Sequence, residues 1–291
     1  MKKKMVSIVL ALVLVFSMAA CQTENGQKEA ESQEERTKQQ ENKGDKEDVE
    51  LTVFAAASMT ETLTWLGERY TKENPHVTVT FNFDSSGTLK TQIQEGAVCD
   101  LFLSAGQKQM DQLDSKADPA VNTEGLDFGQ EGSRIDLENK VTLCVSEKNQ
   151  GKIKTFDDLA RALEQEDILM AMGNADVPVG QYTQKILEYY GLSEEELAGA
   201  GKISYGSNVK EVTTQILEGS VDCGVIYGTD AYSAGLVVAD YATPEMCGQV
   251  IYPAAVLKTS EHEEEAQVFL DYLQTEESMK IFENVGFSPV K

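Results

Sequence analysis

The chain has 291 residues, with 25 basic side chains against 49 acidic ones and a formal net charge of −24. That balance excludes a nucleic-acid-binding face, which needs clustered positive charge. It also requires that any bound anion be held by local dipoles at short range, because the net field opposes it.

Lys2, Lys3 and Lys4 precede an apolar run over 6–20 that ends in Met18-Ala19-Ala20-Cys21. The run is shorter than the roughly 20 residues of a membrane-spanning helix. Small residues before a cysteine read as an export signal peptide over residues 1–20, with lipid attachment at Cys21. Ala30 and Val49 are the only aliphatic side chains in the stretch after Cys21 up to residue 49. Such a stretch buries too little apolar surface to offset chain entropy, so 21–49 is expected to be a lipid-anchored, disordered acidic tether. The folded part is then displayed on the extracytoplasmic face of the cell membrane.

About 240 residues remain, room for one large domain or two modest lobes. A short apolar run predicts a strand over 51–56 and helical spacing a helix over 60–70. Between them lies Phe54-Ala-Ala-Ala-Ser58, with Ser58 at an N-cap position. A helix start offers unpaired N–H groups and the positive end of a dipole, a ready anion site; the plain alternative is that the serine only caps its helix. Alternation predicts a strand over 77–83. Asp84-Ser85-Ser86-Gly87 then turns into a helix over 89–95, with Ser86 presenting a hydroxyl and Gly87 permitting close backbone approach. A buried strand over 100–104 and a helix over 107–113 follow.

A strand over 141–146 and a helix over 155–164 open the next part. After a strand over 168–172, Val177-Pro178-Val179-Gly180 leads into a helix over 182–190. Ser207 or Asn208 is a natural cap for a helix over 209–218, with Glu211 placed for a capping box, which frees the Val209 N–H for a ligand. A strand over 221–227 delivers Tyr227 at its end, and a helix covers 263–274. Repeated βα units predict mainly parallel sheets covered on both faces. Cys99, Cys144 and Cys223 sit in or beside apolar runs and are expected to be buried thiols; with Cys247 the count also permits disulfides. His76 and His262 are the only histidines and lie far apart in sequence, so no His-based metal centre is expected.

In order, FAAAS (54–58), FDSSGTL (83–89), DLFLSAGQKQMD (100–111), VPVGQY (177–182), Asn208-Val209, GVIYGTDA (224–231) and YPAAVLK (252–258) resemble the molybdate-binding proteins of molybdate ABC importers. The resemblance spans the whole folded part. It implies an α/β fold of the type II periplasmic-binding-protein kind: two lobes, each a mainly parallel sheet flanked by helices, joined by crossover strands. Residues 50–138 with 246–291 would form lobe 1 and 139–245 lobe 2. It implies capture of molybdate, and of tungstate, by Ser58, Ser86, Val179, Val209 and Tyr227, without a cationic side chain. Val179 and Val209 would act through their N–H groups. The implied partners are the oxyanion, a membrane permease and, through Cys21, the membrane itself; a monomer without cofactor or catalytic residues is expected. Val179 stands where the family more often has alanine, and Gly173-Asn174-Ala175 where it often has Gly-Asp-Pro.

Rival ligands are sulfate, tungstate alone or another small anion. An iron-binding relative would need a cluster of tyrosines with His or carboxylates, which is not assembled. A secreted serine hydrolase would need a base beside Ser58 or Ser86 and has no GxSxG elbow to carry it. A purely structural surface lipoprotein would not need the ordered cleft motifs.

Overall fold

The computed structural model describes residues 47–129 and 135–290; the expected signal peptide, the Cys21 anchor and the tether up to residue 46 lie outside the described residues. β1 (Val49–Ala56) passes through a 3-10 turn (Ala57–Met59) into α1 (Thr60–Glu73), followed by β2 (Val77–Asp84), α2 (Ser86–Gln94), β3 (Leu101–Leu103) and α3 (Gln107–Asp111). β4 (Ile135–Asn139) and β5 (Val141–Val145) are separated by Lys140 alone, and α4 (Phe156–Gln165), β6 (Met170–Gly173) and α5 (Pro178–Tyr189) come next. Then α6 (Glu194–Gly199), β7 (Ile203–Gly206), α7 (Val209–Leu217), β8 (Cys223–Tyr227), α8 (Gly228–Ala234), β9 (Val238–Tyr241) and α9 (Pro244–Cys247) complete the middle of the chain. β10 (Val250–Val256), α10 (Glu263–Leu273), α11 (Glu276–Val285) and β11 (Ser288–Pro289) close it.

The strands form two sheets, ordered β11-β4-β10-β3-β1-β2 and β7-β6-β8-β5-β9. Each is the centre of a lobe. The chain crosses between them at Asn139–Lys140 and again between β9 and β10, so the lobes are joined by two strand connections. The βα units behave as expected: β1 pairs in parallel with β2 and β3, and β6 with β7 and β8. The other pairings are antiparallel, so both sheets are mixed.

Side-chain alternation explains the two-sided burial of the first sheet. Leu51, Val53, Ala55, Leu101 and Leu103 point into the larger core, which continues into the second lobe. Phe54, Phe102, Leu89, Met110 and Leu113 fill a separate cluster on the opposite face. Strand residues i and i+2 share a face, so a strand covered on both sides reads as a continuous apolar run. β2 instead alternates in sequence because it is the edge of its sheet. Expected strands and helices recur with ends shifted by a few residues. β4, β7, β9, β10 and β11 escaped the pattern: β7 and β9 are short and mostly half-buried, β11 has two residues, and β10 contains Pro253.

Candidate functional site

Ser58 does not cap α1. It lies inside the 3-10 turn, the helix's N-cap is Met59, and no side chain caps it. Its hydroxyl instead meets the phenol of Tyr252 on β10 at 3.0 Å, with both groups buried. The capping expectation fails because the chain tightens into a 3-10 turn before the helix begins. That turn carries the serine inward to the boundary between the sheets.

The second serine turn divides its labour. Ser85 is the N-cap of α2 and accepts the Thr88 N–H at 3.1 Å. Ser86 is therefore released from capping. It is fully buried and accepts the Ala105 N–H at 2.9 Å, which leaves its own hydrogen for another acceptor.

Two helix starts in the second lobe supply N–H groups. In α5 Pro178 is the first residue and has no N–H, and the first intrahelical bond is Gln181 N–H to the Val177 carbonyl at 3.1 Å. Val179 thus carries the first N–H of the helix and has no intrahelical acceptor. Asn174 shapes the approach to this helix, its carbonyl accepting from Val177 N–H and its side chain from Asp176 N–H. Gly180 must be glycine, because a Cβ there would run into the carbonyl oxygens of Gly173 and Asn174. In α7 Asn208 is the N-cap and accepts the Glu211 N–H at 3.1 Å. Glu211 accepts from Ser207 N–H at 2.7 Å, one residue earlier than a capping box would have it. Val209, the first helical residue, keeps a free-standing N–H by the same rule.

Tyr227 ends β8, is 1% exposed, and directs its hydroxyl at the Ala105 carbonyl, 3.4 Å away. Its ring meets those of Tyr182 and Tyr252 edge-on at 6.4 and 5.3 Å. Burial holds both the Tyr227 and Tyr252 phenols well above the usual tyrosine range, so both stay protonated.

The structure brings all five predicted positions to one boundary, where each is at most 4% exposed. Ala105 ties Ser86 of the first lobe to Tyr227 of the second. Tyr252 links Ser58 to the same ring cluster. Pro178 lies 3.3 Å from where a Gly106 Cβ would be, placing the α5 start against the first lobe. Asn208 donates to Asp84 across the lobes at 3.4 Å, and the start of α7 faces the 3-10 turn. Gly87 abuts the Asp176 carbonyl so closely that no side chain fits between them.

Lys210 crosses the boundary, where no cation was expected to contribute. Lys210 on α7 pairs with Glu61 on α1, 2.8 Å from both oxygens, and lies 3.3 Å from the fully buried Asp230. Two carboxylates therefore outweigh it, and it leaves no net positive charge at the site. Burial raises the Asp230 carboxyl to about 6, with Lys210 opposing the shift. Pattern reading missed Asn139, and Ala105, Thr229, Asp230 and Tyr252 fell within quoted motifs without being assigned a role. Cys99, Cys144, Cys223 and Cys247 are buried free thiols, and burial raises Cys144 to about 11 and Cys223 to about 12. Among the described residues no group of His, Cys, Asp and Glu could hold a metal ion.

Residues 51–288 match the family model of bacterial extracellular solute-binding proteins. The chain is 34% identical over 242 residues to YvgL of Bacillus subtilis, a lipoprotein named provisionally as an ABC transporter substrate-binding protein; the match covers 82% of this chain and 86% of that one. It is 30% identical over 242 residues to the molybdate-binding protein ModA of Haemophilus influenzae, covering 82% and 90%. The solved periplasmic molybdate-binding protein of Azotobacter vinelandii superposes with a TM-score of 0.69 over 83% of this chain and 100% of that one; at 21% identity this likeness shows the fold alone. The chain belongs to the bacterial extracellular solute-binding proteins, a family of binding proteins rather than of enzymes.

Proposed function

We propose that the protein captures molybdate, and tungstate with it, in the cleft between its lobes and delivers the anion to the permease of an ABC importer. The lobes are 50–138 with 246–291, and 139–245. Cys21 carries the lipid anchor, and the protein works as a monomer on the extracytoplasmic face. The ligands of the anion are the hydroxyls of Ser58, Ser86 and Tyr227 and the N–H groups of Val179 and Val209.

The observation that carries this reading is the meeting of uncharged donors from both lobes at one buried boundary. Ser86, Val179 and Val209 each stand in the first turn of a helix. Each helix start is worth about half a positive charge, so three together approach the charge of a dianion. A hydrogen bond to a charged acceptor contributes about 1.5–3 kcal/mol net. Several of them reach micromolar affinity or better after the cost of closing the lobes. Donors alone also discriminate against an anion that keeps a proton, since that proton would face other hydrogens.

Titration calorimetry of the full chain with molybdate, tungstate, sulfate and phosphate tests the proposal. The expected result is binding of molybdate and tungstate at micromolar concentration or below, with sulfate and phosphate at least about a hundredfold weaker. Tighter binding of sulfate or phosphate would overturn the ligand assignment.

A further inference from the structure

Ser58 has one hydrogen, and a dianion is served only if that hydrogen points into the cleft. Its direction is decided by the groups behind it. Asn139, the last residue of β4 at the crossover between the lobes, accepts the Lys140 N–H on its side-chain oxygen at 2.8 Å. That contact orients the amide, and its NH2 donates to Thr229 at 3.0 Å and to the Tyr252 phenol at 3.1 Å. All four side chains of the set, Ser58, Asn139, Thr229 and Tyr252, are buried.

An amide NH2 can only donate, so the Tyr252 oxygen receives from Asn139. The phenol keeps its own hydrogen, and the Ser58 oxygen is 3.0 Å away. If Ser58 donated to Tyr252, the phenol would accept twice and its own hydrogen would go to the neighbouring Tyr227 hydroxyl, whose hydrogen lies against the Ala105 carbonyl; the hydrogens of both Ser58 and Tyr227 would then be turned away from an anion. Donation from Tyr252 to Ser58 keeps the phenol paired and is the polarity that an anion accepting from Ser58 requires. The serine oxygen then accepts, and its hydrogen is left for the cleft.

We infer that Asn139 and Tyr252 are positioning residues that hold Ser58 as a hydrogen-bond donor, and so tune the site for a fully deprotonated oxyanion. This rests on the proposed function. Asn139 also ties α8 of the second lobe, through Thr229, to β10 of the first, through Tyr252. The orienting chain is therefore complete only with the two lobes in this relation.

Molybdate titration of the full chain in a double-mutant cycle tests the inference. Tyr252→Phe keeps the ring that packs against Tyr227 and Phe287 and removes only the hydroxyl. It is expected to weaken binding by about tenfold in the wild-type background and by less than about twofold in Ser58→Ala. Asn139→Ala leaves the phenol in place and is expected to give a smaller loss with the same dependence on Ser58; it decides the matter if Tyr252→Phe unfolds. Equal losses with and without the Ser58 hydroxyl, or no loss in the wild-type background, would overturn the orienting chain alone. Absence of binding by the wild-type protein to any of the four anions would overturn the proposed function and this inference with it.

Discussion

In the proposed site the two lobes supply the same kind of chemistry by different means. The first lobe offers the hydroxyls of Ser58 and Ser86, each held by a bond from a distant segment, Tyr252 for one and Ala105 for the other. The second lobe offers the backbone N–H groups of Val179 and Val209, with Tyr227 as its one side-chain donor. A hydroxyl can rotate and must be oriented by neighbours. A helix N–H is fixed by the helix itself and needs only a cap and a first turn. The first lobe is thus open to change by side-chain substitution, whereas the second tolerates side-chain change but not loss of an N–H.

The largest expected effect comes from blocking the meeting of the lobes. Gly87→Ala would drive a Cβ into the Asp176 carbonyl across the boundary. Each lobe should still fold, so molybdate binding should fall by about a hundredfold or more while the unfolding temperature changes little. Wild-type affinity in calorimetry would mean that closure does not require this contact.

A smaller effect separates the two kinds of donor. Val209→Pro removes an N–H at the first helical position, where proline is well tolerated and the preceding Asn208 is already extended. Affinity should fall by about tenfold or more, whereas Val209→Ala, which keeps the N–H, should change it by only about two- to threefold. Equal losses for the two variants would show that the side chain matters rather than the backbone.

The smallest effect is electrostatic. Asp230 is raised to about 6 by burial and faces Lys210 from α7 and, beyond it, Glu61 from α1. The folded pKa lies above the unfolded aspartate value of about 3.9, so the group's contribution to stability is fully present below that value and is lost as pH rises through about 6. Its negative charge beside the site also opposes an anion. Molybdate affinity should therefore rise a few-fold between about pH 7.5 and 5.5, and Asp230→Asn should flatten that slope. An unchanged slope in the variant would remove Asp230 from the account.

Much of this was legible in the sequence, and the gaps have physical causes. Continuous apolar runs marked the doubly covered strands β1, β3 and β8, and alternation marked the edge strand β2. Serine, proline and asparagine before helices marked where N–H groups would be exposed. Ser58 reads as an N-cap position in the sequence but lies inside a 3-10 turn, because such a turn differs from a helix start by a single tightened bond that composition does not encode. Asn139 and Thr229 lie 90 residues apart and meet only through the crossover, and Lys210 finds Glu61 149 residues away. Such pairs depend on how the sheets are placed, so no local pattern announces them.

The most direct test of the central claim is a crystal structure of the tungstate complex, with the metal located by its anomalous scattering. The account predicts one oxyanion between the lobes, with its oxygens within hydrogen-bonding distance of Ser58 Oγ, Ser86 Oγ, Tyr227 Oη and the backbone nitrogens of Val179 and Val209. Tungstate held by Lys210, or at any site away from these five groups, would contradict it.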